Sequence, residues 1–299
     1  MCIQGNTRPR PHRISPRIWG RGHGSTVAIC LAAAVLITWS SPALSEPLDY
    51  APFATLSLQG GYSRIEGRMG FAQETAGTGT LNDLIHDLGL PISNLTFELE
   101  VRVRPLEHHV VRVYGRFPET YEGGRTLSRT LQTRNETYTA GTAILSELKT
   151  GMFGLGYDLD FLAGPRWLGG LNGDLRHVAM RMRLGNAGSG FEDTLALNEI
   201  VPCLGAHLLY RAPVSVGPAA GLFTVGGFSR MTFSMTPNWL NYFDISAGFS
   251  VGILRGAALS LESRLGFNYE VFYHNQEFLV GRSLEFQREG LLLSLEGLF

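Results

Sequence analysis

The fold is decided by a stretch of strict alternation at residues 95–104, LTFELEVRVR. Leucine, phenylalanine and valine occupy its odd positions, and threonine, glutamate and arginine occupy its even positions. Successive side chains of a β-strand point to opposite faces, so this stretch predicts a strand with one apolar face and one charged face. A helix would mix the two sets of residues on every face.

Two later stretches repeat the alternation over a longer run. At residues 242–253, an apolar row from Phe243 to Ile253 opposes a row of tyrosine, aspartate, serine and glycine. At residues 259–274, the apolar row from Leu259 to Tyr273 is broken only by Ser263. A strand needs about 9 to 11 residues to cross a bilayer obliquely, whereas strands of globular proteins mostly have about 5 or 6. The lengths of these runs therefore favour strands that cross a membrane.

Alternation and turn residues along the whole chain predict an all-β fold. The predicted architecture is a closed antiparallel up-and-down transmembrane β-barrel of about ten strands, with eight or twelve strands as alternatives. A lipocalin-like soluble barrel is the main alternative fold. The predicted strands cover residues 54–71, 94–105, 109–120, 139–161, 167–183, 197–211, 216–233, 240–254, 257–273 and 280–299.

The connections between the predicted strands alternate in length. Tight turns are expected at residues 105–108, 162–166, 212–215 and 255–256, and longer connections at residues 72–93, 121–138, 184–196, 234–239 and 274–279. Transmembrane barrels have short turns in the periplasm and longer loops outside. In the strand at 139–161, Glu147 and Lys149 fall on the apolar face. That phase change predicts either a bulge or a strand that continues beyond the membrane.

The first 45 residues have the order of a secretory signal. Five arginines precede an apolar run at residues 27–39, and small residues follow it up to Ser45. We therefore expect a signal peptide at residues 1–45 and a barrel domain at residues 46–299, with a retained anchor as the alternative. Removing the signal leaves 20 basic against 26 acidic residues, which makes nucleic acid a poor partner. Cys203 then remains alone and is expected to be a small buried residue.

The last nine residues, LLLSLEGLF, place Leu291, Leu293, Leu295 and Phe299 on one face of a strand. This pattern resembles the C-terminal signal by which bacterial outer-membrane barrels are recognised for assembly. The resemblance implies that the final strand contacts the barrel-assembly machinery. It also implies a location in the cell outer membrane, surrounded by lipid and lipopolysaccharide.

The chain as a whole resembles a group of small bacterial outer-membrane β-barrel proteins, of the OmpA-like and porin-like outer-membrane β-barrel domain type. The resemblance rests on GTGT at residues 77–80, DLGL at residues 87–90, the strand pair from Phe97 to Phe117, and the final strand. What it implies is architecture and location, because none of these motifs carries an activity.

The charged rows of the strands are expected to point into the barrel. A charge on the lipid face would cost about 2 to 4 kcal/mol at the bilayer midplane. The residues predicted to form a mixed-charge lumen network are Glu98, Glu100, Arg102, Arg104, Arg112, Arg116, Asp174, Arg176, Glu262, Arg264 and Glu270.

Two functions are compatible with such a network. Opposite charges that pair would fill the lumen and leave a structural or surface-interaction role, because ten strands lie close to the eight of a filled barrel. Alternatively, the same charges would line a narrow gated pore or transporter for small polar solutes.

An outer-membrane enzyme, either a protease or a lipid-modifying enzyme, is a third hypothesis with less support. Neither Ser263 nor Ser283 has a base evident from the sequence, and no catalytic residue is predicted. The stretch HNQE at residues 274–277 is expected at an outer turn, where it could meet Asp83, Asp87 or Glu192 across the rim.

No motif predicts a metal or a cofactor. His108 and His109 are adjacent to each other at a predicted turn, and adjacent strand residues point apart rather than toward one metal ion. The glycines at residues 151–156 resemble a nucleotide loop in spacing, but they lie within a strand pattern and no helix follows. There, glycine is expected to relieve crowding in a curved barrel wall.

Overall fold

A computed structural model of the chain describes residues 52–71, 80–133, 136–164, 166–214, 223–236, 240–255, 260–276 and 282–299. The regular elements in these ranges are all β-strands. None of the described residues belongs to a helix long and apolar enough to cross a membrane. The predicted signal peptide at residues 1–45 lies outside the described residues, so the domain boundary after Ser45 stays a prediction.

Ten of the thirteen strands in the described residues form one closed antiparallel barrel. They are β1 (Ala54–Phe71), β3 (Ser93–Leu106), β4 (His109–Thr126), β7 (Ala143–Ala163), β8 (Trp167–Asn186), β9 (Gly190–Val214), β10 (Phe223–Ser234), β11 (Leu240–Arg255), β12 (Ser260–Gln276) and β13 (Arg282–Leu298). Each pairs with its neighbours in this order, and β13 pairs with β1 to close the barrel. The predicted ten-stranded, up-and-down antiparallel barrel is therefore confirmed.

Three short strands accompany the barrel. β2 (Thr80–Asp83) pairs with the last residues of β1, while β5 (Leu131–Gln132) and β6 (Thr137–Tyr138) pair with each other between β4 and β7. The terminal end of the barrel is the end that holds Ala54 and Leu298, and the far end is the opposite one. All three short strands lie in connections at the far end.

The prediction of a long connection at residues 184–196 is wrong. β8 ends at Asn186 and β9 begins at Gly190, so a turn of residues 187–189 joins them. The backbone carbonyl of Asn186 accepts the N–H of Ser189 at 3.1 Å, and its side-chain oxygen accepts the N–H of Gly188 at 2.9 Å. Gly190 adopts a positive φ of 89°, which glycine reaches without steric cost. Polar strand residues after the turn were thus mistaken for a loop.

Two other predicted connections also begin too early. β4 continues to Thr126, into the predicted connection at 121–138, and β9 continues to Val214, into the predicted tight turn at 212–215.

Glu147 and Lys149 fall on the apolar face of their strand because β7 is long and continues past the belt. β7 pairs with β8 without a break from Ile144 to Asp160, so no bulge interrupts it there. The neighbouring bulge lies in β4, between residues 116 and 119.

A belt of exposed apolar side chains surrounds the terminal half of the barrel. It includes Leu56, Leu58 and Tyr62 of β1, Leu95, Phe97 and Leu99 of β3, Phe153, Leu155 and Tyr157 of β7, Leu171 and Leu175 of β8, and Leu291, Leu293 and Leu295 of β13. Tyr62 of β1 pairs with both Leu95 of β3 and Leu291 of β13. The edge of the belt nearer the far end therefore lies at the same height on these three strands. Beyond that edge the outer wall carries charges such as Arg64 and Lys149.

The interior has two layers of opposite character. Within the belt, the inward side chains are mostly charged or polar. Within the far half, where the outer wall is polar, the inward side chains form one buried apolar cluster. Its members include Ile65, Met69, Leu84, Leu88, Tyr121, Ile144, Leu148, Met182, Leu184, Leu197, Phe272, Leu284 and Phe286.

The segment between β2 and β3 completes the wall of the far half. β3 begins only at Ser93, while β1 and β4 continue past it, and the turn at residues 84–90 occupies the space between them. Gly89 has a φ of 70°, and a Cβ on Gly123 would lie 2.1 Å from the Gly89 carbonyl oxygen. Only glycine permits this approach, which lets Leu84 and Leu88 enter the apolar cluster.

Candidate functional site

The charged lumen of the terminal half is the candidate site. Alternation within each strand positions its residues: on β3, Glu98, Glu100 and Arg102 point inward because Leu99 and Val101 point outward. The charged residues predicted from the sequence all lie on inward faces of β3, β4, β8 or β12. β3 and β4 are neighbours in the sheet, whereas β8 and β12 lie farther around the barrel. The narrow lumen brings the side chains of all four strands into a chain of ion pairs.

Arg112 is the centre of this arrangement. Its side chain is 2% exposed, and its guanidinium lies 2.6 Å from Asp174, 3.0 Å from Asp158 and 3.4 Å from Glu100. A Cβ on Gly156 would lie 2.3 Å from the Asp174 carboxylate, so glycine provides the space that this contact occupies. The glycine spacing at residues 151–156 therefore lies within β7 and serves packing.

A second group of ion pairs lies deeper in the lumen. Arg116 and Arg288 contact the carboxylate of Glu270 at 2.9 and 3.0 Å. Arg176 contacts Asp244 at 2.9 Å and also donates to the hydroxyl of Tyr242 at 2.6 Å. These ion pairs lie next to the apolar cluster. Each of their charges has its partner within the polar layer.

A third group lies on the opposite wall, near the seam between β12 and β13. Arg264 bridges Glu262 at 2.9 Å and Glu296 at 2.7 Å, and Arg211 contacts Glu262 at 2.6 Å. At the terminal mouth, Asp160 accepts from Arg104 and lies 2.7 Å from the His207 ring. Buried charges are tolerated when each has a partner of opposite sign, which this pairing provides.

Several charged lumen residues were absent from the prediction. They are Glu119, Asp158, Asp160, His207, Arg211, Arg230, Asp244, Arg288 and Glu296. Alternation could have found some of them, because Asp158 and Asp160 oppose the outward row of Tyr157 and Leu159. His207 gave no such signal, since its neighbours along β9 are mostly apolar.

The rim constellation considered for an enzyme is not present in the described residues. His274 was expected at an outer turn, but it lies within β12, fully buried beside Phe272, with its ring nitrogen 3.4 Å from Glu199. Asp83 accepts the N–H groups of residues 85 and 86 and so stabilises its own turn. Asp87 bonds instead to Arg129, at 2.6 Å.

The electrostatics of Asp87 follow from these contacts. Partial burial acts to raise the pKa of its carboxyl, but hydrogen bonds from Arg129 and from the N–H of Asp83 act against it. The hydrogen bonds and the nearby arginine charges outweigh the effect of burial, so the pKa of Asp87 lies below its ordinary value of 3.8. Among the described residues no group of three or more histidine, cysteine, aspartate or glutamate side chains is placed to hold a metal ion.

No family model matches this chain, and no curated protein matches it. Among solved structures, it is similar to the outer membrane protease OmpT of Escherichia coli, with 14% identity and a TM-score of 0.42 over 87% of this chain and 100% of that one. It is similar to the transport unit of the autotransporter AIDA-I of Escherichia coli, with 11% identity and a TM-score of 0.39 over 92% and 98%.

A third similar structure is Ail, the attachment invasion locus protein of Yersinia pestis, with 10% identity and a TM-score of 0.32 over 82% of this chain and 99% of that one. Similarity this low says nothing about activity. The finer resemblance to OmpA-like and porin-like domains has no family match behind it and stays a prediction. The chemistry of the lumen therefore has to be argued from this chain's own residues.

Proposed function

We propose that the chain is an integral outer-membrane protein whose barrel is closed to solute flow and whose role is structural or surface recognition. The observation that carries this proposal is that two layers obstruct the interior. Paired charges occupy the terminal half, and a buried apolar cluster occupies the far half. An ion that crossed the barrel would have to enter both layers.

The outer surface supports a membrane location. The apolar belt is made of side chains such as Leu291 and Leu293, which are 63% and 59% exposed and would be costly to leave in water. Lipid, including lipopolysaccharide in the outer leaflet, is the partner that this belt would contact. Leu291, Leu293 and Leu295 lie on the outer face of the closing strand, and the exposed Phe299 follows directly after its end. Assembly machinery could reach all four residues there.

The far end supports recognition through polar contacts. Leu127, Leu131 and Tyr138 of the β4–β7 connection point inward into the apolar cluster. The neighbouring residues 128–130 are exposed and polar. The connection thus forms a cap with a buried apolar side and a polar outer surface, as expected of a site that meets a soluble or surface-bound partner.

The experiment that tests the closed barrel is conductance of the purified protein in a planar bilayer. We expect a silent membrane for the wild type and for Arg102→Ala and Arg264→Ala, with both variants unfolding at lower temperature because buried carboxylates lose a partner. Arg64→Ala on the outer wall is the matched control and should match the wild type in both measurements. Steady conductance whose ion selectivity changes in the two lumen variants would instead establish the narrow pore.

A further inference from the structure

A polar cavity opens within the terminal half of the lumen. Its volume is about 170 Å³, and its lining includes residues 52 and 298 beside the terminal mouth. A cavity of about 150 Å³ is large enough for a molecule of the size of benzene. This one is lined by charged side chains, so its natural occupants are water or a small polar solute.

Cations face the cavity at its mouth. The side chain of Arg102 is 25% exposed, whereas its carboxylate partner Glu100 is 6% exposed. Arg230 is likewise 17% exposed against 5% for its partner Asp158. In both pairs the carboxylate lies behind the guanidinium, which leaves the positive group at the cavity surface. Arg102 bonds Glu100 through Nε, and no described residue accepts from its two Nη groups.

The order is reversed at the inner end of the cavity. Glu98 is 22% exposed, whereas its partner Arg116 is 8% exposed. Asp244 is 17% exposed against 3% for Arg176. Here the guanidinium groups lie behind, and the carboxylates face the cavity.

The two ends are separated along the strands. Glu98 and Arg102 lie four residues apart on the inward face of β3, roughly 13 Å between Cα atoms. The cavity is therefore polarised, with donors at the mouth and acceptors inside.

We propose that this cavity binds a small dipolar solute that carries an acid and an amine on one short chain. The acid group lies at Arg102 and Arg230, where the guanidinium geometry suits a carboxylate or a phosphate. The amine lies at Glu98 and Asp244. This inference does not rest on the membrane location, because the cavity belongs to the barrel interior.

The test is calorimetric titration of the full chain in detergent micelles with three probes of equal chain length: 4-aminobutyrate, butyrate and butylammonium. We expect saturable binding of 4-aminobutyrate and binding about tenfold weaker, or weaker still, for each singly charged probe, because each lacks one charge-assisted contact.

Two variants assign the ends of the ligand. Arg102→Gln should remove the advantage of 4-aminobutyrate over butylammonium, and Glu98→Gln should remove its advantage over butyrate. A general loss of structure would weaken all three probes alike. Arg64→Gln, in an exposed outer-wall pair with Glu66, is the control and should bind as the wild type does.

The proposal fails if the wild type shows no saturable binding of 4-aminobutyrate. It also fails if butyrate binds as tightly as 4-aminobutyrate and Glu98→Gln changes neither, since the cavity would then be a simple anion site. If a lumen variant does not fold, the wild-type comparison decides alone, and butyrate that binds as tightly as 4-aminobutyrate then overturns the proposal. A silent or conducting bilayer leaves these results unchanged, so the two proposals are tested separately.

Discussion

At the scale of single residues, buried charge dominates the behaviour of the lumen. Arg112 has three carboxylates around it, and each of these has a second arginine: Asp158 has Arg230, Asp174 has Arg176, and Glu100 has Arg102. The charges therefore form a connected network rather than separate pairs. Loss of one member leaves an imbalance that the low-dielectric interior cannot screen.

Replacing Arg112 with methionine should lower the free energy of unfolding by about 3 kcal/mol, the lower end of the range for a broken buried pair. The second arginine of each carboxylate limits the loss. Unfolding in urea from micelles measures it. Arg64→Met, in an exposed pair with Glu66, should cost less than about 1 kcal/mol. Equal effects of the two variants would contradict the importance of burial.

Gly156→Ala should destabilise the barrel by about 1 to 3 kcal/mol, as overpacking does. Its Cβ would lie 2.3 Å from Asp174 and 2.6 Å from Arg112. Gly151→Ala in the same strand is a matched control, because its Cβ would meet nothing nearer than 3.8 Å. Thermal unfolding of both variants measures the difference, and a tolerated Gly156→Ala would show that the ion pairs move aside.

At the scale of elements, the turn at residues 84–90 shows how a connection becomes part of the core. Its leucines help to fill the far half. Its backbone and its one carboxylate also bond to neighbours: Ser146 of β7 donates to the Leu88 carbonyl at 2.6 Å, and Arg129 bonds Asp87. The sequence of this segment gave no sign of the insertion, because the contacts join residues distant in the chain.

The turn should loosen at low pH before the barrel does. The pKa of Asp87 is depressed in the folded state, so its stabilising contribution is complete above its ordinary value of 3.8 and is lost as pH falls through the folded value. Hydrogen exchange of residues 84–90 should therefore accelerate in that window, relative to the intrinsic rate. Arg129→Gln should move the onset upward, toward 3.8. Protection that persists to the lowest pH at which the barrel stays folded would contradict the role of Asp87.

At the scale of the whole molecule, the barrel reverses its polarity along its axis. The terminal half is apolar outside and charged inside, and the far half is polar outside and apolar inside. The reversal is expected if the terminal half lies in lipid and the far half in water. The closing strand β13 runs through both halves of the barrel, since it pairs with β1 from the terminal end to Gly70.

Replacing Phe299 with aspartate should lower recovery of the protein from the outer-membrane fraction several-fold. Phe299 lies at the end of the seam, where its backbone N–H bonds the Ala54 carbonyl at 2.9 Å and its ring is 55% exposed. Fractionation with immunodetection measures recovery. Phe53→Asp, an exposed aromatic at the same end but outside the closing strand, should have little effect.

Two outcomes would contradict this account. Equal losses for Phe299→Asp and Phe53→Asp would mean that any exposed aromatic at this end matters, and not the closing strand in particular. Full-length wild-type protein found soluble in the periplasm would overturn the membrane barrel and favour the lipocalin-like alternative.

The sequence by itself determined the barrel and its two faces, because a period of two depends only on neighbouring residues. The run at 95–104 already separates the belt residues from the lumen charges, and the pattern of the final nine residues places Leu291, Leu293, Leu295 and Phe299 on the outside. Strand ends were predicted less well wherever polar residues continue a strand past the belt, as at residues 191–196.

Only the tertiary structure decided which charges meet. Arg112 and Asp174 are 62 residues apart in sequence, and Arg288 and Glu119 are 169 apart, yet each pair bonds across the lumen. Ring closure and strand stagger bring these residues together, and neither can be read from local alternation. The apolar filling of the far half likewise depends on a turn that enters the barrel, so only the three-dimensional packing shows which residues fill it.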